Sequence, residues 1–489
     1  MRDYNQPSIK KNVVYRTLYD VLSLLTPLIT APYISRTLGA DGVGLFSYSD
    51  SVITYFNLFA VLGTASYGAR EIAVNREDKT VSSKLFWEIE LLTVATSSVS
   101  LIAWIVLSLR LKEFSPFFIA LSPILISSMF DISWFYTGKE MLKYTISVSA
   151  AVKIISIICL FLFVRTKTDL IVYFWLNSSS QAIASISMWI FLPRFLVKTD
   201  WRLFKFGHHL HETLVYFIPG VASAVYSYLD KTLLGLITRD AYQNGYYEQA
   251  TKIVNLSKYL IFSSVNTVLG ARISYLYAKN EHEQIREHIS HSMDYIILMC
   301  YGCVFGIAGV AKRFVPVFFG EGYTPVITLL YLMGPILIIM ANSTCLSNQY
   351  YVPCGRIKDT TKYIIIGSCI NLCLNLLLIP VWKSVGAVVA SIAAELVVAI
   401  LHVKNCNKYL TISTLIKLSY KRLAAGTIMC ISVAMIGNVI DASGIFTVII
   451  QVISGIIIYG VVLMLLKDSM IFELLGIIKM RIQKGDACE

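Results

Sequence analysis

The chain has 489 residues, of which 56% are hydrophobic and 15% charged, and its formal net charge is +12. A soluble fold, in which about a quarter of residues are charged, cannot cover that much apolar surface, and basic residues scattered through short loops point to membrane topology instead of nucleic acid. A bilayer span uses about 20 apolar residues, so this length holds about a dozen or more spans with little aqueous remainder.

In chain order, the first dozen residues are polar and the first apolar run is long enough to span, so no cleavable leader is expected. Spanning runs start near Val14, Phe46, Lys84, Phe114, Thr145 and Leu170, and a polar stretch from Arg194 to Glu212 follows. Six more start near Thr213, Tyr247, Ile289, Pro325, Lys362 and Gly386, and a last pair occupies Leu423 to Ile440 and Ile445 to Leu466. Backbone groups in hydrocarbon must pair within their own segment, so these runs predict an all-α polytopic membrane protein of about 14 transmembrane helices. The expected division is an amino-terminal lobe at 1–200, a carboxyl-terminal lobe at 201–412, and an extra helix pair with a cytoplasmic tail at 413–489.

With an even number of spans and a cytoplasmic start, 28 of the 42 Lys and Arg residues fall on the inside and 10 on the outside. That bias predicts both termini in the cytoplasm. An internal repeat is visible as well. Gly44, Phe46 and Gly68-Ala69-Arg70 frame the second span, and Gly245, Tyr247 and Gly270-Ala271-Arg272 frame the eighth, at an offset of 201 to 202. An even number of spans separates the copies, so the two halves are expected to be parallel duplicates.

A charge at the bilayer centre costs about 3 kcal/mol on insertion scales and usually faces a bundle interior or a watery cavity. Intramembrane charges here include Arg16, Asp20, Glu88, Glu90, Asp131, Asp294 and Glu395, several of them close enough to helix ends to snorkel. An anionic lipid headgroup leaving water would need cations in such a cavity; Arg36, Lys153, Lys231, Lys258 and Arg272 are the candidates. A coupling H+ or Na+ would need a carboxylate, for which Asp50 and Asp230 are the candidates.

Other chemistry is poorly represented. The ten cysteines lie mostly in apolar runs without regular spacing, and Cys300-x-x-Cys303 is expected to serve packing. His208, His209 and His211 are expected to belong to a solvated basic loop and not a metal site. The chain has no Walker-type loop, H-E-x-x-H or G-x-S-x-G, so no catalytic residue, metal or cofactor is assigned. Most of the 29 tyrosines are expected at the interfaces.

The run from Pro27 to Tyr48, which contains Ala31-Pro32-Tyr33-Ile34-Ser35-Arg36-Thr37-Leu38-Gly39, together with Tyr67-Gly68-Ala69-Arg70-Glu71, resembles the opening of bacterial polysaccharide flippases of the Wzx type. These belong to the multidrug, oligosaccharidyl-lipid and polysaccharide exporter superfamily. Leu229-Asp230-Lys231 and Gly245-Tyr246-Tyr247 look like the matching pattern in the second half. The resemblance implies two six-helix lobes in a V-shaped bundle around a cationic cavity, plus two carboxyl-terminal helices. It also implies transfer of undecaprenyl-pyrophosphate-linked oligosaccharide across the bacterial inner membrane, coupled to H+ or Na+, for O-antigen or capsule, beside polymerase machinery. A drug or cation antiporter of the same superfamily is the nearest rival. A sugar polymerase or acyltransferase is the enzyme rival, and it would call for a large outer loop or a histidine at the membrane face.

Overall fold

The computed structural model describes residues 9–199, 206–406, 409–440 and 444–476, and among these the regular structure is entirely helical. The expected boundary at residues 200 and 201 and most of the expected tail lie outside the described residues. Two compact units divide the chain, Met1–Gly245 and Tyr246–Glu489. The first contains α1 (Ile9–Val61), α2 (Thr64–Val74), α3 (Lys79–Arg110), α4 (Ser115–Leu121), α5 (Pro123–Phe130), α6 (Ser133–Gly138), α7 (Leu142–Phe163), α8 (Leu170–Met188) and α9 (Phe206–Thr238). The start of α10 (Ala241–Ala278) closes it. The second unit contains the rest of α10, then α11 (His282–Phe319), α12 (Thr324–Leu346), α13 (Ile357–Lys404), α14 (Ile412–Val439) and α15 (Gly444–Leu465).

By length and composition, nine helical stretches among the described residues can cross a membrane. Fourteen stretches, at the positions of the fourteen apolar runs, emerge once two long helices are divided and α8, α9 and α10 are included. Those three carry enough Ser, Asn, Gln and charge to dilute their hydropathy. The divisions have local causes. α1 breaks at Gly39, whose φ of 74° and ψ of 174° suit a residue without Cβ, so the second span begins at Ala40 and not near Phe46. α13 breaks at Lys383, with φ 50° and ψ −127°. The fourth span is split into α4, α5 and α6: Pro123 supplies no N–H at the start of α5, and Asp131 ends α5 in an extended conformation while its Oδ1 accepts from the Ser133 N–H at 2.9 Å. The Phe130 carbonyl accepts from the Ile132 N–H at 3.0 Å and from the Trp189 indole N–H at 2.9 Å.

In the first unit the core gathers Ile34, Leu38, Ile53, Trp104, Phe118, Leu125 and Phe174 from α1, α3, α4, α5 and α8. Trp104 stacks on Phe118 with centroids 4.6 Å apart and donates its indole N–H to the Phe118 carbonyl at 2.9 Å, so a large apolar ring is buried without stranding its polar atom. Near the end of α1, the Ala60 carbonyl accepts from Thr96 at 2.6 Å and Ser97 at 3.2 Å on α3. In the second unit Ile289, Met293, Ile296, Cys300 and Cys345 form the central seam, and Cys300 and Cys303 are free thiols. Arg422 of α14, 1% exposed, binds the Asp294 side chain on α11 and Asp468 just past α15 (3.2 Å). This buried arginine ties the last two helices to α11, since removing it would leave carboxylates without a counterion.

The repeat glycines meet each other. A Cβ on Gly44 would collide with the Ala241 carbonyl, and a Cβ on Gly245 would collide with the Ala40 carbonyl. The start of the second span therefore crosses the start of α10 backbone to backbone, a distance only glycine permits. Gly44→Val is expected to destabilise the purified protein by about 1–3 kcal/mol through overpacking. Gly220→Ala, where a Cβ meets nothing within 4 Å, should leave its thermal unfolding in detergent unchanged.

Candidate functional site

Polar residues at helical spacing give α7 and α8 wet faces inside an apolar sequence. On α7, Thr145, Ser149, Lys153 and Ser156 recur every three or four residues, and on α8 Asn177, Gln181 and Ser185 recur every four, with Ser180 beside them. These stripes meet Thr26 and Thr30 of α1 and Ser127 of α5 around a cavity of about 690 Å³ in the first unit. Hydroxyl and amide groups bond to one another across its wall, as between Ser127 and Ser185 (2.9 Å) and from Gln181 to Asn177 (3.3 Å).

Lys153 supplies the interior amine. Its Nζ donates to the Ser23 hydroxyl at 2.9 Å and lies 5.0 Å from the Tyr19 ring centroid, so one hydroxyl and one π-face orient it. No carboxylate among the described residues forms an ion pair with it. The other charges of the cavity are engaged: Arg16 pairs with Asp20 at 3.1 Å, and Asp131 Oδ1 accepts from the Ser133 N–H at 2.9 Å. Among the described residues, Lys153 is thus held by the neutral partners Ser23 and Tyr19.

The remaining sequence candidates are dispersed. Arg36 is exposed on α1, and Asp50 is half-buried farther along it. Asp230 is 6% exposed on α9 and lies near Tyr55 of α1, where Thr232 donates to the Ser51 hydroxyl at 2.9 Å. Lys231 has its amine 5.6 Å from the Tyr228 ring, and Asn244 donates to its carbonyl at 2.7 Å. Asp230 and Lys231 thus share the α1–α9 region with Asp50. Lys258 and Arg272 lie in the second unit on α10; Lys258 is half-buried, and Arg272 is exposed, 5.6 Å from the Tyr275 ring.

A second buried polar group departs from expectation. His209 lies in the first turns of α9, 3% exposed, its Nε2 3.0 Å from a Glu88 oxygen and its Nδ1 2.8 Å from the Tyr67 hydroxyl. The histidine expected in a solvated loop is therefore a structural member of the bundle, while its neighbours His208 and His211 are exposed. Glu88 lies 4.0 Å from Lys84 and is 3% exposed, and Glu90 is 1% exposed. Nearby, Lys139 donates to the Arg76 carbonyl (2.6 Å) and Ser82 hydroxyl (2.8 Å); burial, aided by Lys79, pushes its pKa down.

Residues 9–276, over half the chain, match the family model described as polysaccharide biosynthesis protein. The chain belongs to this family. It is 24% identical over 402 residues to a putative O-antigen transporter of Escherichia coli K12, covering 81% of this chain and 95% of that one. It is 23% identical over 260 residues to a probable low-salt glycan biosynthesis flippase, Agl15, of Haloferax volcanii, covering 51% and 52% of the two chains. Among solved structures, the lipid II flippase MurJ in an inward closed conformation shares the fold at a TM-score of 0.73 with 16% identity, over 93% of this chain and 99% of that one. An inward-facing MATE family transporter of the MOP superfamily follows at 0.55 and 12%, over 81% and 98%.

Lys153 stands out in the sequence as a lysine amid apolar residues, whereas the hydroxyls and amides that share its cavity do not. Their signal was the three- and four-residue spacing on α7 and α8. His209 was overlooked because its partners lie far away in sequence, at Tyr67 and Glu88. His209→Leu should destabilise the protein by about 1–3 kcal/mol by leaving Glu88 and Tyr67 buried with a lost partner. The exposed His211→Ala should not, and thermal unfolding of the purified variants in detergent compares the two.

Proposed function

We propose that this polysaccharide biosynthesis protein is a flippase that carries undecaprenyl-pyrophosphate-linked oligosaccharide from the cytoplasmic to the outer leaflet of the bacterial inner membrane, both termini being cytoplasmic. The observation that carries the reading is the Lys153 amine, oriented by Ser23 and Tyr19 into a cavity walled by hydroxyls and amides. An amine binds phosphate oxygens by charge-assisted hydrogen bonds, and hydroxyl and amide groups match the donors and acceptors of a sugar. The names of the curated relatives, an O-antigen transporter and a glycan flippase, support the same cargo class.

Arg36, Lys231, Lys258 and Arg272 are the other proposed contacts of the pyrophosphate. Asp50 and Asp230 are the proposed carboxylates for a coupling H+ or Na+, with Asp230 the more deeply buried of the two. Alternating access then needs helices able to bend, and the breaks at Gly39, Asp131 and Lys383 are places where backbone angles already leave the helix. Polymerase machinery acting on the delivered oligosaccharide is the proposed downstream partner.

In cells that depend on this protein for surface polysaccharide, Lys153→Ala should lower polymer about tenfold or more, the value of one charge-assisted hydrogen bond. Lys153→Arg should retain a substantial part, since it keeps the charge. Both variants should be present in the membrane at wild-type levels. Normal polymer with Lys153→Ala removes the amine from the mechanism.

A further inference from the structure

We infer that the second unit holds a seat for the headgroup of an anionic phospholipid, with Lys312 and Arg313 binding its phosphate. The seat is a separate cavity of about 480 Å³ among α11, α12, α14 and α15. Its described lining contains these two cations and no carboxylate. Lys312 has no protein partner among the described residues, while the Arg313 Nε donates to the Gly437 carbonyl at 2.9 Å and leaves its terminal nitrogens to a ligand.

The depth of the cations indicates a lipid. α14 ends at Val439, so a guanidinium bonded to Gly437 lies within one turn of that helix end. On α11 the unbroken apolar run from Ile296 stops at Ala311, and Phe314 and Phe318 stack beside the cations with centroids 4.8 Å apart, as aromatic residues do at a membrane interface. The same cavity continues toward Phe305, Ala308 and Ala434, an apolar wall below the charges. Cations at headgroup level above an apolar wall match a phosphate ester with an acyl chain beneath it. Outside the cavity, Met435, Ile445 and Phe446 are each at least 60% exposed and continue the lipid-facing surface. Charge complementarity selects an anionic headgroup, because a zwitterionic lipid brings an ammonium of its own toward two cations.

This lipid seat is independent of the cargo the protein carries. It is tested on the full-length protein in detergent by native mass spectrometry and thermal unfolding, with phosphatidylglycerol, phosphatidylethanolamine, inorganic phosphate and a polyprenyl phosphate as probes. Wild type should retain phosphatidylglycerol over phosphatidylethanolamine and be stabilised by it. Lys312→Gln, which breaks no protein contact, should unfold as wild type without lipid and retain phosphatidylglycerol about tenfold less, a loss of ~1.4 kcal/mol. Equal retention by wild type and both Lys312→Gln and Lys312→Gln/Arg313→Gln would overturn the seat. Equal retention of the two phospholipids would do so too. Full stabilisation by inorganic phosphate alone would make it a free-anion site, and displacement of phosphatidylglycerol by equimolar polyprenyl phosphate would assign it to the cargo; either result contradicts the proposal.

Discussion

An ammonium group cannot rest in hydrocarbon without something to replace its water, and this constraint shapes the first unit around Lys153. The chain replaces the lost hydration with one hydroxyl, one aromatic face and a cavity lined by neutral polar groups. Had a carboxylate been placed against the amine, the pair would have been satisfied internally and closed to an anion. Neutral partners hold the amine in place without pairing it, which is what the proposed anion site uses.

Around that cavity, the bundle is held by contacts that tolerate little substitution. Glycines at 44 and 245 let backbones touch, Trp104 fills the core while donating its one polar hydrogen, and Arg422 fastens the last two helices through Asp294 and Asp468. The broken fourth span contributes in another way. A continuous helix there would not present Asp131 to α6 or the Phe130 carbonyl to Trp189, so the break adds Asp131 to the cavity wall and gives both groups partners. The same economy governs the group of Glu88, His209 and Tyr67, where three polar side chains are buried because each has another to bond.

Hydropathy made the helical stretches legible, because a spanning run is a property of contiguous sequence. The repeat was legible for a similar reason, and its paired glycines proved to lie against one another. Element boundaries were less so: Gly39 ends the first span sooner than apolarity alone indicates, and Lys383 breaks α13 at a residue with no glycine-like signal. Which charges are buried was the least legible feature. Arg36 and Arg272 are exposed, whereas Glu88, Glu90 and Arg422 are almost wholly enclosed. Composition treats these residues alike, and only the direction each helix face points, set by partners distant in sequence, separates them. The family motif around Pro32-Tyr33-Ile34-Ser35-Arg36 carried the functional class, but it did not reveal the cavity on α7 and α8.

The decisive property of the protein is movement of a phosphorylated, sugar-bearing lipid by this chain alone. Purified protein reconstituted into vesicles containing a fluorescent polyprenyl-pyrophosphate oligosaccharide in both leaflets measures it most directly, by the fraction of label an impermeant quencher reaches over time. Wild-type vesicles should become almost fully accessible, while protein-free vesicles and those with Lys153→Ala should stall near half. Wild-type vesicles that also stall near half, with the protein folded and correctly inserted, would contradict the account.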